Sequence, residues 1–195
     1  MKKSMIIMSA VIASTLSASV ASYAADNRGF IRLQTAVRDF VEDDSTRPNR
    51  YGVKATIGHA LDENKNFIGD VDIQTQATSK DGAASVFSRV EGGLTITNGS
   101  VFVRTALGER LNAINNWSYY SIEPGYKYRF NDKFAASVAW RWRAALDDKF
   151  ADDSGTWKFG AEYSLDKVNS LNIMGLVSRG DADWNGLNFG FTHRF

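Results

Sequence analysis

The chain of 195 residues contains no cysteine. That excludes a disulfide framework, and it excludes a lipid-anchored lipoprotein, which needs a cysteine to acylate. Proline occurs twice and histidine twice. His59 and His193 have no serine or carboxylate near them in sequence that would make a nucleophile–base pair, so no catalytic residue is assigned and no enzyme is expected. Neither sign of charge dominates: 23 basic residues stand against 22 acidic ones, which excludes a simple nucleic-acid binder. Beyond residue 25 no apolar run approaches the length of a transmembrane helix, so any insertion into a bilayer has to be as a closed barrel.

The first residues form a separate unit. Lys2 and Lys3 make a positive start, Met5 to Leu16 is apolar, and Ser22-Tyr23-Ala24 supplies small residues before a cleavage point. This pattern predicts a secretory signal over residues 1–24, removed to leave a barrel domain over 25–195; a helical anchor is the alternative. No apolar stretch elsewhere is continuous. Instead, apolar and polar residues alternate with period two in ten segments: Gly29–Val41, Arg50–Leu61, Asn66–Thr78, Ser85–Thr97, Ser100–Leu111, Ser118–Phe130, Lys133–Leu146, Thr156–Leu165, Ser170–Arg179 and Trp184–Phe195. The connections alternate in length. Asp62–Lys65, Asn98-Gly99, Asn131-Asp132 and Asp166-Lys167 are short and rich in turn residues. Glu42–Asn49, Ser79–Ala84, Asn112–Trp117, Asp147–Gly155 and Gly180–Asp183 are longer. An even strand count with short turns at one end and longer loops at the other is the pattern of a bacterial transmembrane barrel. The expectation is therefore an all-β, antiparallel, up-and-down barrel of ten strands in the outer membrane of a Gram-negative cell.

A soluble barrel or sandwich has the same period but points its apolar face inward. Strand length favours the membrane. So does the tendency of Tyr126, Tyr128, Phe130, Phe134, Trp140, Trp142, Trp157 and Tyr163 toward strand ends, where aromatic girdles lie. The chain also stops at Phe195, a terminal aromatic of the kind read by the outer-membrane insertion machinery, with Phe189 and Phe191 on the same lipid face.

In that barrel the polar face lines a lumen. Arg32, Arg38, Lys54, Arg89, Arg104, Arg110, Lys127, Arg129, Arg141, Arg143, Lys158 and Arg194 point inward, against Asp70, Asp72, Glu91, Glu123 and Glu162. The remaining acids, such as Asp147, Asp148, Asp152 and Asp153, fall in loops. A low-dielectric wall focuses the field of such a lining, and rings of Arg and Lys favour anions. Filled small barrels also carry charged lumens, so the choice is between a solute path and a salt-bridged plug. Arg141 and Arg143, on successive inward positions with no evident local acid, favour the path. The acidic loop 147–153 lacks calcium-loop spacing and reads as solvated, with divalent bridging to lipopolysaccharide as a second use. Gly92, Gly93, Gly186 and Gly190 read as strand glycines that permit curvature.

Ser121-Ile122-Glu123-Pro124-Gly125-Tyr126-Lys127-Tyr128-Arg129-Phe130, with Asn131-Asp132-Lys133 and the Arg141/Arg143 strand after it, resembles the oligogalacturonate-specific porin family. The resemblance covers about a fifth of the chain. It implies a small monomeric porin passing acidic oligosaccharides along basic tracks, with Arg129, Arg141 and Arg143 as track residues. Those barrels are typically built on twelve strands, which makes twelve the alternative count here. The expected function is a narrow, anion-preferring channel for small acidic solutes. A non-conducting barrel acting through its outer loops, as an adhesin or structural protein, is the alternative. Expected partners are membrane lipid, lipopolysaccharide, the insertion machinery and an acidic solute; neither cofactor nor metal is expected.

Overall fold

A computed structural model describes residues 28–40, 49–80, 83–112, 115–150, 152–181 and 183–195. The expected signal segment, the 42–48 loop and the Ser79–Ala84 loop tip lie outside the described residues. Ten strands form, all antiparallel: β1 (Gly29–Phe40), β2 (Arg50–Ala60), β3 (Phe67–Lys80), β4 (Ala83–Asn98), β5 (Val101–Asn112), β6 (Trp117–Arg129), β7 (Phe134–Ala145), β8 (Ser154–Ser164), β9 (Asn169–Gly180) and β10 (Trp184–Arg194). Each pairs with its sequence neighbours, and β10 pairs with β1 to close the barrel. The count is ten rather than twelve. The strand bounds match the period-two segments within about two residues, and one pair of such shifts closes up a connection. The β3/β4 ladder continues to Lys80 opposite Ala83, so the connection read as the longer loop Ser79–Ala84 shrinks to residues 81 and 82.

Closure satisfies every backbone group along the seam, where an open sheet would leave unpaired edges. Registers run from Phe30 opposite Arg194 to Phe40 opposite Trp184. Beyond the last paired strand residue, the Phe195 amide donates to the Gly29 carbonyl and the Gly29 amide donates to the Phe195 carbonyl, both at 2.9 Å. A β-carbon on Gly29 would strike the Phe195 ring, so the terminal aromatic lies over a position that only glycine leaves open.

The short turns carry local polar logic. Gly99 adopts φ 61°, the left-handed region that glycine enters without steric cost. Asp166 caps its turn: Oδ1 accepts from the amides of Val168 (2.8 Å) and Asn169 (2.7 Å), and Oδ2 accepts from Asn169 Nδ2 at 2.7 Å. These donors, the Asn169 side chain foremost, hold the Asp166 carboxyl below its ordinary range.

The face assignment is unambiguous. Val71, Ile73, Leu94, Ile96, Leu107, Ile122, Phe159 and Phe189 are exposed on the outer wall, while Asp72, Glu91, Glu123, Arg141 and Arg143 are buried inside. A soluble barrel requires the inverse, so the periplasmic alternative is overturned. This exposed apolar wall along the strands matches a bilayer. Aromatics cluster toward both rims. Tyr128 packs edge-on against Phe130, which meets Phe134, near the short-turn end. Trp140 stands opposite Trp157 toward the loop end.

Candidate functional site: the charged lumen

Strand registers decide which charges meet. Asp72 on β3 stands directly opposite Glu91 on β4, two carboxylates side by side on one ladder. Alone this pair repels. Arg104 on β5 resolves it by reaching across β4. Its guanidinium pairs with Asp70, lies 3.5 Å from Asp72, and bonds Glu91 Oε1 at 2.5 Å. The crossing is possible because Gly93 lies beneath it: a β-carbon there would collide with the Arg104 guanidinium. Gly93 was read as a curvature glycine; its contact shows a further reason for glycine, which is clearance for a cation. Lys54 completes the cluster at 2.8 Å from Asp72.

From three strands round the wall, Arg141 on β7 bonds Glu91 Oε2 at 2.5 Å, and the Tyr119 hydroxyl on β6 donates to the same oxygen at 2.8 Å. Glu91 and Tyr119 are both 0% exposed. Lys54, Asp70, Asp72, Glu91, Arg104, Tyr119 and Arg141 thus form a belt at mid-height along the wall from β2 to β7. This corrects the expectation that Arg141 lacks a local acid. The same holds for Arg143, whose Nη2 donates to Asp152 Oδ1 at 2.5 Å. Asp152, expected in a solvated loop, is only 4% exposed. It also takes Arg110 at 3.0 Å and the Trp117 indole N–H at 3.0 Å. The loop turns this one acid back into the barrel mouth because three donors converge there. Sequence separation gives no hint of the first pairing: Glu91 and Arg141 are fifty residues apart and are joined by the curvature of the closed wall.

Toward the short-turn end the lumen is again paired. Lys158 meets Glu123 at 2.5 Å; Glu162 takes Lys127 at 2.7 Å, Arg194, and the Ser170 hydroxyl at 2.9 Å. Arg32 donates to the Thr192 hydroxyl instead of an acid. Arg129 stands exposed at the rim and lines a mouth of about 730 Å³ together with Arg28, Lys65, Lys133 and Lys167. Below the belt lies a cavity of about 370 Å³, walled in part by Lys54, Arg104, Lys158 and Glu162. Above it lies a smaller space of about 40 Å³, beside Arg38, Arg89 and Arg110. All twelve basic side chains read as lumen-facing from the sequence do lie on the inward parity of their strands. Pairing divides them. Most are committed to carboxylates, whereas Arg32, Arg38, Arg89 and Arg129 have no carboxylate partner among the described residues. His59 is exposed on the outer wall, and the His193 ring nitrogen meets Asn169 Oδ1 at 2.9 Å. Among the described residues no cluster of metal-ligating side chains forms.

The fold and the inverted polarity define a transmembrane β-barrel of the outer-membrane type. No family model and no curated protein matches the chain. Among solved structures it is similar to the translocator domain of the autotransporter NalP from Neisseria meningitidis, at 9% identity and TM-score 0.52, over 99% of this chain and 98% of that one. It is also similar to an outer membrane channel from Pseudomonas putida F1, at 12% identity and TM-score 0.52, over 86% and 94%. These likenesses establish the barrel and nothing finer. A KdgM porin solved with disordered oligogalacturonate aligns at 10% identity over 85% and 99%, with TM-score 0.48. At that score it carries no argument, and the local resemblance at β6 and β7 stays a resemblance.

Proposed function

We propose that the protein is a narrow outer-membrane channel that favours anions and passes small acidic solutes such as acidic oligosaccharides. The observation supporting this is the charge balance of the lumen: its carboxylates are all engaged, and a residue of arginines at both ends is not. Anions are drawn into a basic mouth of low-dielectric wall. In this reading the belt is the constriction. A solute carboxylate competes with Glu91 for Arg104 and Arg141, and the displaced Glu91 keeps the Tyr119 hydroxyl as its donor. Arginine suits the task because its planar fork holds carboxylates bidentately while staying charged.

A second reading has its own support. Glu91 and Tyr119 are fully buried, and a belt of such completeness is what a filled, non-conducting barrel contains. That reading assigns any role to the loop end. Uptake by proteoliposomes discriminates the two. The channel reading expects faster entry of a galacturonate disaccharide than of a neutral disaccharide of equal size. Equal exclusion of both favours the filled barrel.

A further inference from the structure

Above the belt the barrel contains an arrangement that the pairing of strands makes costly. Arg38 on β1 is directly opposite Arg50 on β2, and Arg89 on β4 is directly opposite Arg110 on β5. All four side chains line the same small cavity. Like charges directly opposite on a ladder repel, and here two such pairs converge. Among the described residues no carboxylate lines the cavity. Asp152 lies at its margin and is shared between Arg110 and Arg143.

Arg38 donates through Nη2 to Gln74 Oε1 at 3.4 Å, but other donors around this space are unsatisfied. Arg89 makes no hydrogen bond or ion pair among the described residues, and its buried Nε has no acceptor. The Nε atoms of Arg38 and Arg143 are likewise buried and orphaned. Gln76, 4% exposed, leaves Nε2 without a partner at the cavity wall. Buried donors of this kind are rare because each forfeits its solvation. The cations are nonetheless held in place. Arg38 stacks over Trp184 at 4.2 Å and Arg50 over Phe87 at 3.9 Å, contacts that fix the guanidinium planes.

We infer that this cluster is a binding site for one compact oxyanion, of which inorganic phosphate or the phosphate group of a small ester is the type. The open space of about 40 Å³ admits only a few non-hydrogen atoms. A doubly charged oxyanion there accepts from Arg38, Arg89 and Gln76 at once and balances the charge of Arg38 and Arg89. The inference deepens the anion-favouring reading of the lumen but does not need conduction through the belt.

The test is isothermal titration calorimetry of the full barrel folded in detergent micelles at low ionic strength. Sodium phosphate is titrated against a sodium chloride control, with folding checked by heat-modifiable gel mobility. One saturable phosphate site is expected, absent with chloride, and weakened at least tenfold in both Arg89→Gln and Arg38→Gln. Arg179→Gln, on an exposed side chain paired with Asp183, leaves it unchanged. In phosphate-free buffer Arg89→Gln is expected to raise the melting temperature, because it removes a repelling charge. Unsaturable binding, or undiminished affinity in a folded Arg38→Gln or Arg89→Gln barrel, overturns the inference. Phosphate binding by a barrel that does not conduct leaves it standing and sinks only the channel reading; conduction without phosphate binding does the reverse.

Discussion

Arg141 on β7 and Glu91 on β4 meet inside the lumen at 2.5 Å, fifty positions apart in sequence and three strands apart around the barrel wall. Their contact, with Arg104 on the other oxygen of Glu91, makes the mid-height of the barrel a neutral belt between two more basic ends. The charges at this height are mutually dependent, so single substitutions there should behave differently from those at the rims.

Replacing Glu91 by Gln leaves Arg104 and Arg141 partly unpaired in a buried setting. Removing one partner of a buried ion pair typically costs about 3 kcal/mol or more. The expected outcome is a clear fall in the urea midpoint of the barrel in lipid vesicles. The double substitution Glu91→Gln with Arg141→Gln should recover part of it. No recovery would mean that the two side chains act independently.

Gly92 and Gly93 are adjacent but should differ sharply. A β-carbon at Gly93 collides with the Arg104 guanidinium, whereas one at Gly92 meets nothing within 4 Å on the lipid side. Gly93→Ala should destabilise by about 1–3 kcal/mol through displacement of Arg104, as overpacking does. Gly92→Ala should be close to neutral. Equal effects in chemical unfolding would show that both glycines serve backbone curvature alone.

Asp152→Asn should release charge into the loop-end mouth. It frees Arg110 and Arg143 and loosens the Trp117 indole, which bonds Asp152 Oδ2 and stacks on Phe150. A change in Trp117 emission together with tighter phosphate binding is expected. Unchanged anion affinity would show that Asp152 does not set the charge of that end.

The Asp166 turn should be pH-dependent. Its carboxyl is held below the ordinary range, so the stabilisation is fully present above the unfolded value and is lost as pH falls through the folded one. Amide exchange at Val168 and Asn169, corrected for intrinsic pH dependence, should therefore lose protection only at pH below the usual carboxylate range. Asp166→Ala should lack that protection at every pH. Protection that persists in acid would assign it to the ladder rather than to the side chain.

The strands were legible in sequence because a membrane barrel repeats one simple requirement along its wall: apolar outward, polar inward, every second residue. Arg104 and Asp72 were assigned to the lumen by parity alone, and both lie there. What parity does not encode is the azimuth around the closed wall. Glu91 and Arg141 have no local signature, so Arg141 looked unpaired. Asp152 looked solvated because a loop residue has no parity, and its inward turn depends on three donors from different strands. The inward Gly93 among charged neighbours was the one available signal that a long side chain crosses there. The Ser79–Ala84 loop was overdrawn because its small and polar residues read as a turn, while the ladder continues through them.

The central claim is that the lumen is a path for anions. Planar-bilayer recording of the purified barrel under a potassium chloride gradient tests it most directly. The account predicts discrete openings with a reversal potential on the chloride side, shifted toward neutrality by Arg38→Gln with Arg89→Gln. A cation-side reversal potential, or a folded barrel with no openings at all, would contradict it.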